Sequence, residues 1–584
     1  MKPIEHYLQM RLGFLADERD LELSKSLDDI ASILCCSRKN AKRVLRRLQE
    51  EGLLTYSSGA GRGNKSKILF QSAIHSFLSG LLKEYFQAEN YEAALSLIKL
   101  PLPPDLKESL TQKLQLHFNA FSRSQTQDIL RLSLKRKLLL MDPAFVSIST
   151  ESHLIRQIYS TLVVFDRESN SIKPHLAHAW EYDSMDKTWI FYIRKGIKFH
   201  SGRSLTSEDI AFTFRRLKEI DSPNNWLLED AAVIETPSPW IIKIRLNRDN
   251  ALFLHYLSSP NASILPSGRG FSQEHIIGCG PYAVKSLNDH ALILEAFDGY
   301  FKERAYIDTI EIWFIPEAEE VLLDFELPGM GVGSLHTRQQ SVAEVGCTYI
   351  GFNFNKPGIM HDLFFRKAMY ELADQRLLIE ELKKEARIPA ASFFPWISSG
   401  RSILKSMERA KNFLAMSGYN GEVLSLYYFN KKESSQDAIW LKERCRQAGI
   451  ALELLPFSIN TFYEETDSRN GDMILMGEIF QEDHHLSFIA AFKNSSCFIS
   501  RFLAGSMKEA ADRRISRILA EPSAEVRQNL IQQMEEWIME EDLFIFNYHT
   551  ERTRRYHGLL EGVALNSFGW ANFNEIWIKP ELMS

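Results

Sequence analysis

The stretch IRKGIKFHSGRSLTSEDIAF, residues 193–212, is the part of this chain that most strongly determines the expected fold. Gly196 and Gly202 are suited to tight turns, because a residue without a Cβ adopts positive φ at little cost. Thr206, followed three residues later by Asp209, has the pattern of a capping box at the start of a helix. The stretch therefore predicts tight turns that lead directly into a capped helix.

Two short amphipathic helices joined by a tight turn are predicted near the N-terminus. Apolar residues recur at helical spacing after Ser26 and again after Ser37, and both serines are candidate N-caps. Gly52 is suited to end the second helix. The apolar positions of that second helix are Ala41, Val44, Leu45 and Leu48. Two such helices in succession form the helix-turn-helix pattern.

A β-hairpin is predicted immediately after these helices. The segment LLTY at 53–56 reads as one strand and ILF at 68–70 as the returning strand, and the loop between them is rich in glycine and basic residues. Two helices followed by a hairpin with a basic tip form the winged-helix arrangement. Residues 1–70 are therefore predicted to be an α+β winged-helix DNA-binding domain.

The positive charges of this region lie where double-stranded DNA would need them. The whole chain has a formal net charge of −6, yet only Glu50 and Glu51 oppose the basic residues between positions 35 and 67. Lysine and arginine neutralise phosphates, and Arg and Asn recognise guanine and adenine edges. An alternative is a solvated basic helix on a protein-interaction domain. The predicted DNA contacts are Ser37, Arg38, Lys39, Asn40, Lys42, Arg43 and Arg46 of the second helix and Arg62, Lys65 and Lys67 of the loop.

Composition indicates a globular protein of several domains in a reducing compartment. The 584 residues exceed the size of a single core, and apolar and charged contents of 45% and 25% are ordinary. Cys35 and Cys36 are adjacent, and none of the 6 cysteines has zinc-ligand or disulfide-framework spacing. The first 20 residues contain no apolar signal region, and no run is long enough to span a membrane. A cytoplasmic location is expected.

Residues 71–127 are predicted to form a helical connector. Apolar residues between positions 74 and 85 follow helical spacing, a second short helix fits 91–100, and a third restarts at Asp105 after prolines at 101, 103 and 104. The pattern is compatible with packing on the DNA-binding module, with dimerisation, or with transmission of strain between the two ends of the chain.

The remainder of the chain carries an ordered series of motifs that resembles the family 5 solute-binding proteins, the peptide- and nickel-binding type. Ser201 and Ser204 stand where that family usually has Asp and Pro. The matching passages are DPA at 142–144, IYSTL at 158–162, PHLAHAW at 174–180, the stretch 193–212, GCGPY at 278–282, GYF at 299–301, FRKAM at 365–369 and ADQR at 373–376.

The resemblance implies a large two-lobed α/β domain of the periplasmic-binding-protein type, type II, over residues 128–584. Lobe 1 is expected at about 128–349, lobe 2 at about 354–543, and a return to lobe 1 at about 549–584. Hinge strands are expected near 350–353 and 544–548, around a cleft that closes on a solute. Arg366 is expected to pair with backbone or a carboxylate at the interface of the lobes.

The resemblance also suggests where a small-molecule solute would bind. In the family's peptide binders, an Asp after a Gly-Trp pair in lobe 2 captures the ligand amine; here Glu478 replaces that Trp. Trp226 and Tyr256 are further aromatic candidates for the lining of the cleft, although core packing is the stronger expectation for any single aromatic residue. Asp483, His484 and His485 are compatible with solute contact, with a metal site or with a solvated loop. The candidate ligand contacts are Tyr159, Trp396, Tyr428, Glu482 and Asp483.

No catalytic motif, P-loop or complete dinucleotide fingerprint is present, so neither enzyme activity nor a cofactor is predicted. A winged helix followed by a family 5 domain resembles the layout of SgrR-type transcriptional regulators. The chain is therefore predicted to be a cytosolic regulator that binds double-stranded DNA and senses a solute such as a sugar phosphate or peptide. RNA polymerase and a second copy of the chain are further candidate partners, and no membrane contact is expected. The alternative is the substrate-binding component of a transporter.

Overall fold

The computed structural model describes residues 3–59, 65–88, 90–120, 127–268, 270–315, 324–327, 337–398, 404–458 and 471–580. Among these residues no helix is both long enough and apolar enough to cross a membrane.

The N-terminal region forms a winged helix, as predicted. Ser26 and Ser37 cap the two helices of the helix-turn-helix, and Gly52 has the positive φ of +72° expected of a residue that ends a helix. The strands form a sheet in the order β1-β3-β2. Residues 60–64 at the tip of the hairpin lie outside the described residues. The elements are α1 (Pro3–Gly13), β1 (Glu22–Lys25), α2 (Leu27–Ile33), α3 (Arg38–Glu50), β2 (Leu54–Ser57) and β3 (Ser66–Phe70).

Two of these elements, α1 and β1, were absent from the sequence prediction. Strand β1 pairs antiparallel with β3. Helix α1 packs against α2 and α3 and reaches Phe70 of the sheet through Arg11, whose side chain is 0% exposed. The Arg11 guanidinium donates two hydrogen bonds to Glu18, at 2.9 and 2.6 Å, and one to the Tyr7 hydroxyl at 2.6 Å, and it stacks on Phe70. A buried arginine interrupts the apolar pattern of α1, and this interruption hides the helix from a periodicity search.

The connector consists of three helices, as predicted, and its core is continuous with that of the winged helix. Leu78, Leu82 and Leu95 belong to the same buried cluster as Leu45 and Ile68. That cluster also includes Ala291, Trp313 and Ile315 of the C-terminal part, and the rings of Tyr91 and Trp313 meet edge to face at 5.3 Å. The connector therefore packs on both neighbours. Its helices are α4 (Ile74–Gln87), α5 (Tyr91–Ile98) and α6 (Pro104–Ala120).

The first lobe contains two four-stranded sheets, ordered β11-β12-β13-β4 and β7-β8-β10-β9. The capping box of Thr206 and Asp209 starts α8 as predicted. Gly278 is required by close approach, because a Cβ there would lie 2.0 Å from the Ile158 carbonyl oxygen. The elements of the lobe are β4 (Ile129–Leu134), α7 (Ser149–Ile158), β5 (Val163–Asp166), β6 (Ser171–Pro174), β7 (Ala177–Asp183), β8 (Thr188–Ile193), α8 (Ser207–Glu219), β9 (Ala231–Ser238), β10 (Ile241–Leu246), α9 (Phe253–Ser258), β11 (Tyr282–Leu287), β12 (Ala291–Ala296) and β13 (Thr309–Phe314).

The second lobe is built on a five-stranded sheet, ordered β18-β17-β19-β15-β20, with helices around it. Arg366 pairs with backbone, as expected, but inside this lobe: it donates to the carbonyl oxygens of Met360 and Glu541. The remaining elements are β14 (Thr337–Ala343), β15 (Gly346–Phe352), α10 (Leu363–Leu372), α11 (Gln375–Glu381), β16 (Arg387–Pro389), α12 (Pro395–Ser398), α13 (Met407–Met416), β17 (Leu424–Phe429), α14 (Lys432–Ala448), β18 (Leu452–Phe457), β19 (Met473–Ile479), α15 (His484–Lys493), α16 (Phe498–Phe502), α17 (Gly505–Ala520), α18 (Ala524–Glu540), β20 (Phe544–Phe546), β21 (Tyr548–His557), β22 (Leu560–Glu561) and β23 (Trp577–Ile578).

The long strand β21 runs through both lobes. Its first residues pair with β16 of the second lobe, and residues 551–557 pair with β14. Strand β15 lies wholly in the sheet of the second lobe. The chain therefore crosses between the lobes before β15 begins, and not near 350–353, where the first hinge strand was expected. Gly346 stands at this crossing with φ of +103°, and a Cβ there would lie 2.0 Å from the Glu478 carbonyl oxygen.

Candidate DNA-binding surface and solute cavity

Helix α3 presents its basic side chains to solvent because its apolar positions are all directed inward. Ala41, Val44, Leu45 and Leu48 are buried against the winged-helix core. Asn40 is half-buried, and its backbone N–H is taken by the capping Ser37 hydroxyl at 3.3 Å. The exposed predicted contacts on this helix are Ser37, Arg38, Lys39, Lys42, Arg43 and Arg46.

Two of the predicted DNA contacts, one on α3 and one on the hairpin, have acidic neighbours at the surface. Arg38 pairs with Asp28 at 3.1 Å, and on the hairpin Lys67 pairs with Glu22 at 2.9 Å. Lys65 is exposed, and Arg62 lies outside the described residues. Exposed ion pairs of this kind are weak, so phosphate oxygens can replace the carboxylates at little cost.

A cavity of about 380 Å³ lies between the two lobes of the C-terminal part. The first lobe contributes residues 146–149 at the start of α7 and a wall around Trp226; the second contributes β19 with the segment after it and the start of β21. The volume is that of a small solute.

Direct polar contacts between the lobes close this cavity on one side. The Asp483 carboxylate accepts from His255 at 2.6 Å, and Arg156 donates to Gln481 at 2.7 Å. Further contacts across the cleft are Lys493 with Glu229 at 2.7 Å, Asn494 with Asn224 at 2.8 Å and Ser496 with Ser147 at 2.8 Å. The structure is therefore a closed form of the two lobes.

Of the predicted ligand contacts, Glu482 and Asp483 line the cavity. Asp483 also caps α15 by accepting from the Leu486 N–H at 3.0 Å. Burial opposes ionisation of Asp483, but its hydrogen bond and charge interaction with His255 outweigh this and lower its pKa. Asp483 is thus occupied by the protein itself, which leaves Glu482 as the acid of this pair that is open to a ligand.

The three predicted aromatic contacts lie elsewhere. Tyr159 is 2% exposed in the core of the first lobe, next to a different, smaller hollow near Leu265. Trp396 is 54% exposed on α12, where its ring lies 5.4 Å from that of His484. Tyr428 packs against the core of the second lobe, because alternation along β17 directs its neighbour Phe429 to the cavity instead. Of the other two aromatic candidates, Trp226 lines the cavity and Tyr256 is buried away from it.

Several lining residues escaped the sequence analysis, among them Ser152, Arg156, Lys431 and Glu478. Burial raises the pKa of Glu478 to about 7, and the Cys497 thiol donates to its carboxylate at 3.8 Å. The sequence drew attention to Glu478 only as the residue that replaces a tryptophan of the family, not as a candidate ligand contact. The other three had no marker, because the angle at which helices reach the cleft cannot be read from periodicity.

The histidines beside Asp483 do not converge on a common point. His484 bonds the Gln481 carbonyl oxygen at 2.9 Å, and His485 faces the Gln528 side chain at 3.1 Å. Within the described ranges, no three His, Cys, Asp or Glu residues come together as a metal-binding group.

Two family models match the chain, one for each part. Residues 4–120 match the sugar transport-related sRNA regulator N-terminal model, and residues 171–498 match the middle region of the bacterial extracellular solute-binding proteins, family 5. Among solved structures, the Escherichia coli murein tripeptide binding protein MppA superposes with a TM-score of 0.65 at 18% identity, covering 78% of this chain and 99% of that one.

Relatives over nearly the whole length connect the two parts. The uncharacterized protein YhjP of Bacillus subtilis strain 168 is 30% identical over 99% of this chain and 100% of its own length. The HTH-type transcriptional regulator SgrR of Yersinia enterocolitica is 25% identical over 96% of each chain. The chain therefore belongs to the family 5 solute-binding proteins, in the SgrR-type arrangement that joins this domain to a sugar transport-related sRNA regulator N-terminal region.

Proposed function

We propose that this chain is a transcriptional regulator that binds double-stranded DNA through α3 and the hairpin, and that its DNA affinity responds to a solute held between the lobes. The observation that carries the proposal is the row of exposed cations on α3, in a chain whose net charge is −6. Charge of this density on a helix-turn-helix suits phosphate contacts and base recognition in a major groove.

The packing of the connector supports a link between the two activities. Tyr91 contacts Trp313 on β13, and Lys99 approaches His290 at 3.5 Å, so α5 bears directly on the first lobe. Movement of that lobe on closure would reach the winged helix through apolar contacts. The name of the SgrR relative from Yersinia enterocolitica, which matches both parts, favours regulation over the transporter alternative. No catalytic step is assigned. A cytoplasmic location, contact with RNA polymerase and formation of a homodimer stay predictions.

The DNA-binding half of the proposal is tested by fluorescence anisotropy with the full chain and fragments of its own promoter region. Arg43→Ala removes a cation from the middle of α3 and should weaken binding by about 1–3 kcal/mol if Arg43 contacts a base. Lys83→Ala is the matched control, because Lys83 is an exposed cation on α4. Equal affinities of wild-type protein and R43A for every fragment would contradict the placement of DNA on α3.

The sensing half is tested by reciprocal titration. A solute that prefers one state of the lobes must change DNA affinity, and by linkage DNA must change solute affinity by the same factor, typically about 5- to 150-fold. The proposal is supported if the change in DNA affinity caused by solute equals the change in solute affinity caused by DNA and both differ from one. Ratios of one in both directions would show that the solute domain does not control DNA affinity.

A further inference from the structure

Hydrogen-bond donors without partners lie along the walls of the cavity. Among the described residues, Ser152 Oγ, Arg156 Nε and Trp226 Nε1 of the first lobe and Arg387 Nε of the second lobe make no hydrogen bond. Ser152 and Trp226 are each only 5% exposed. A buried donor left without an acceptor costs free energy, and native proteins rarely leave several together. The grouping indicates a ligand rich in acceptors.

Three polar side chains that line the cavity lie on one face of α7. Ser149, Ser152 and Arg156 follow one another at intervals of three and four residues and all line the cavity. The helix begins at the cavity wall, and its N-cap residue, Ile148, offers no side chain to the first N–H groups. The N-terminal end of a helix carries partial positive charge and directed N–H donors, both of which favour an anion.

The acidic residues around the cavity are largely neutralised by the protein. Glu151, in the first turn of α7, is held outside the cavity by Arg136 at 2.5 Å. Burial raises the pKa of Glu478 to about 7, so much of this group is uncharged at neutral pH. Glu482 also lines the cavity. Ion pairs join Glu344 to Arg552, Glu433 to Arg387 and Asp437 to Lys384, and Asp483 shares a hydrogen bond with His255.

We infer that the α7 end of the cavity binds an anionic group of the solute, a phosphate monoester or a carboxylate, through Ser149, Ser152 and Arg156. The inference rests on the proposed function, in which the cavity holds a solute, and it adds the chemistry of one end of that solute. Arg156 also donates to Gln481 across the cleft, so an anion bound here contacts a residue that joins the lobes. Occupancy would therefore favour the closed form.

The test uses the full chain and measures thermal stability and calorimetric affinity with matched probes. Inorganic phosphate and glycerol 3-phosphate represent phosphates, succinate represents carboxylates, glycerol is the neutral partner, and alanylalanine methyl ester is a cation without a carboxylate. We expect the phosphates or succinate to raise the melting temperature and glycerol to leave it unchanged. The stronger of the two anion classes identifies the solute's group.

Two variants locate the effect. Ser152→Ala and Arg156→Gln should each lower the affinity for the anionic probe about tenfold or more, because each removes a hydrogen bond to a charged group. Arg215→Gln is the matched control, since Arg215 is exposed on α8 of the same lobe, outside the cavity. Unchanged melting temperatures of the unliganded variants show that the lobes still fold.

Three results would overturn the inference. Anions could raise the melting temperature of S152A and R156Q as much as that of the wild type. Alternatively, only alanylalanine methyl ester or glycerol could raise it, or no anion could. Protection by a cationic or neutral probe alone removes the anion subsite but leaves solute sensing in place. If no probe protects the chain and none changes its DNA affinity, the proposed sensing function fails as well.

Discussion

Charged side chains on α3 point into solvent, whereas most acidic side chains of the cavity between the lobes are paired with a side chain of the protein. Lys42, Arg43 and Arg46 are exposed and lie next to buried apolar residues of their own helix. In the cavity, Asp483 is joined to His255 and Glu344 to Arg552. The first arrangement acts at long range and tolerates variation in position, while the second depends on geometry and on exclusion of water. The two surfaces should therefore respond differently to salt, substitution and pH.

The largest expected difference is in salt dependence. Between 50 and 200 mM salt, a protein with 6–10 phosphate contacts loses roughly 10³–10⁵ in DNA affinity, because bound counterions are released. Affinity of an anionic solute for the cavity should fall by less than about tenfold, because buried charges are poorly screened. Anisotropy and calorimetry on the same preparation measure both. Parallel slopes would show that the cavity is as solvated as α3.

The next largest effect concerns the buried arginine of the winged helix. Arg11→Met leaves Glu18 without its partner and should destabilise this module by about 3–5 kcal/mol. Urea unfolding should then show an early transition that abolishes DNA binding while solute binding survives. Arg47→Met is the control, because Arg47 pairs with Glu51 at the surface of α3 at 3.4 Å and such pairs contribute about 0–1 kcal/mol. A single transition that removes both activities would mean that the two regions unfold as one unit.

The smallest expected effect is a pH dependence of the stability of the second lobe, caused by Glu478. The pKa of Glu478 is raised to about 7 by burial, above its unfolded value, so the stability linked to its proton is complete in acid and is lost as pH rises through 7. Between pH 4.5 and 8 this loss should be about 2–3 kcal/mol. Glu478→Gln should abolish it, and Glu482→Gln should not. An identical pH profile for wild type and E478Q would disprove the assignment.

Much of the fold could be predicted because its determinants are local. The caps at Ser26, Ser37 and Thr206 and the turn glycines depend on a few adjacent residues. The two-lobed architecture followed from family motifs, which are themselves made of such turns and caps. Helix α1 was missed because Arg11 occupies a core position and satisfies its charge through Glu18, a partner that periodicity does not reveal.

The solute site was predicted less well, because it forms where distant segments meet. Glu482 and Asp483 follow a strand at the mouth of the cleft and line the cavity, and their contact with a ligand stays a prediction. Tyr159 and Tyr428 pack in the cores of their lobes and do not line the cavity, because an aromatic residue near a family motif is as well suited to the core as to the cavity. Ser152 and Arg156 acquire significance only when α7 is seen to begin at the cavity wall.

The edge-to-face contact between Tyr91 and Trp313 also limits how the domains of this chain can be exchanged with those of other proteins. A DNA-binding domain on a flexible linker could be exchanged freely. One that shares a core with its neighbour must change together with that neighbour. A fragment that ends at residue 70 would strip Leu78 and Leu82 from the winged-helix core, and one that begins at residue 128 would uncover Trp313. Exchange of sensory domains within this family should therefore succeed at boundaries that keep α4–α6 with the winged helix and provide a matching aromatic surface on β13.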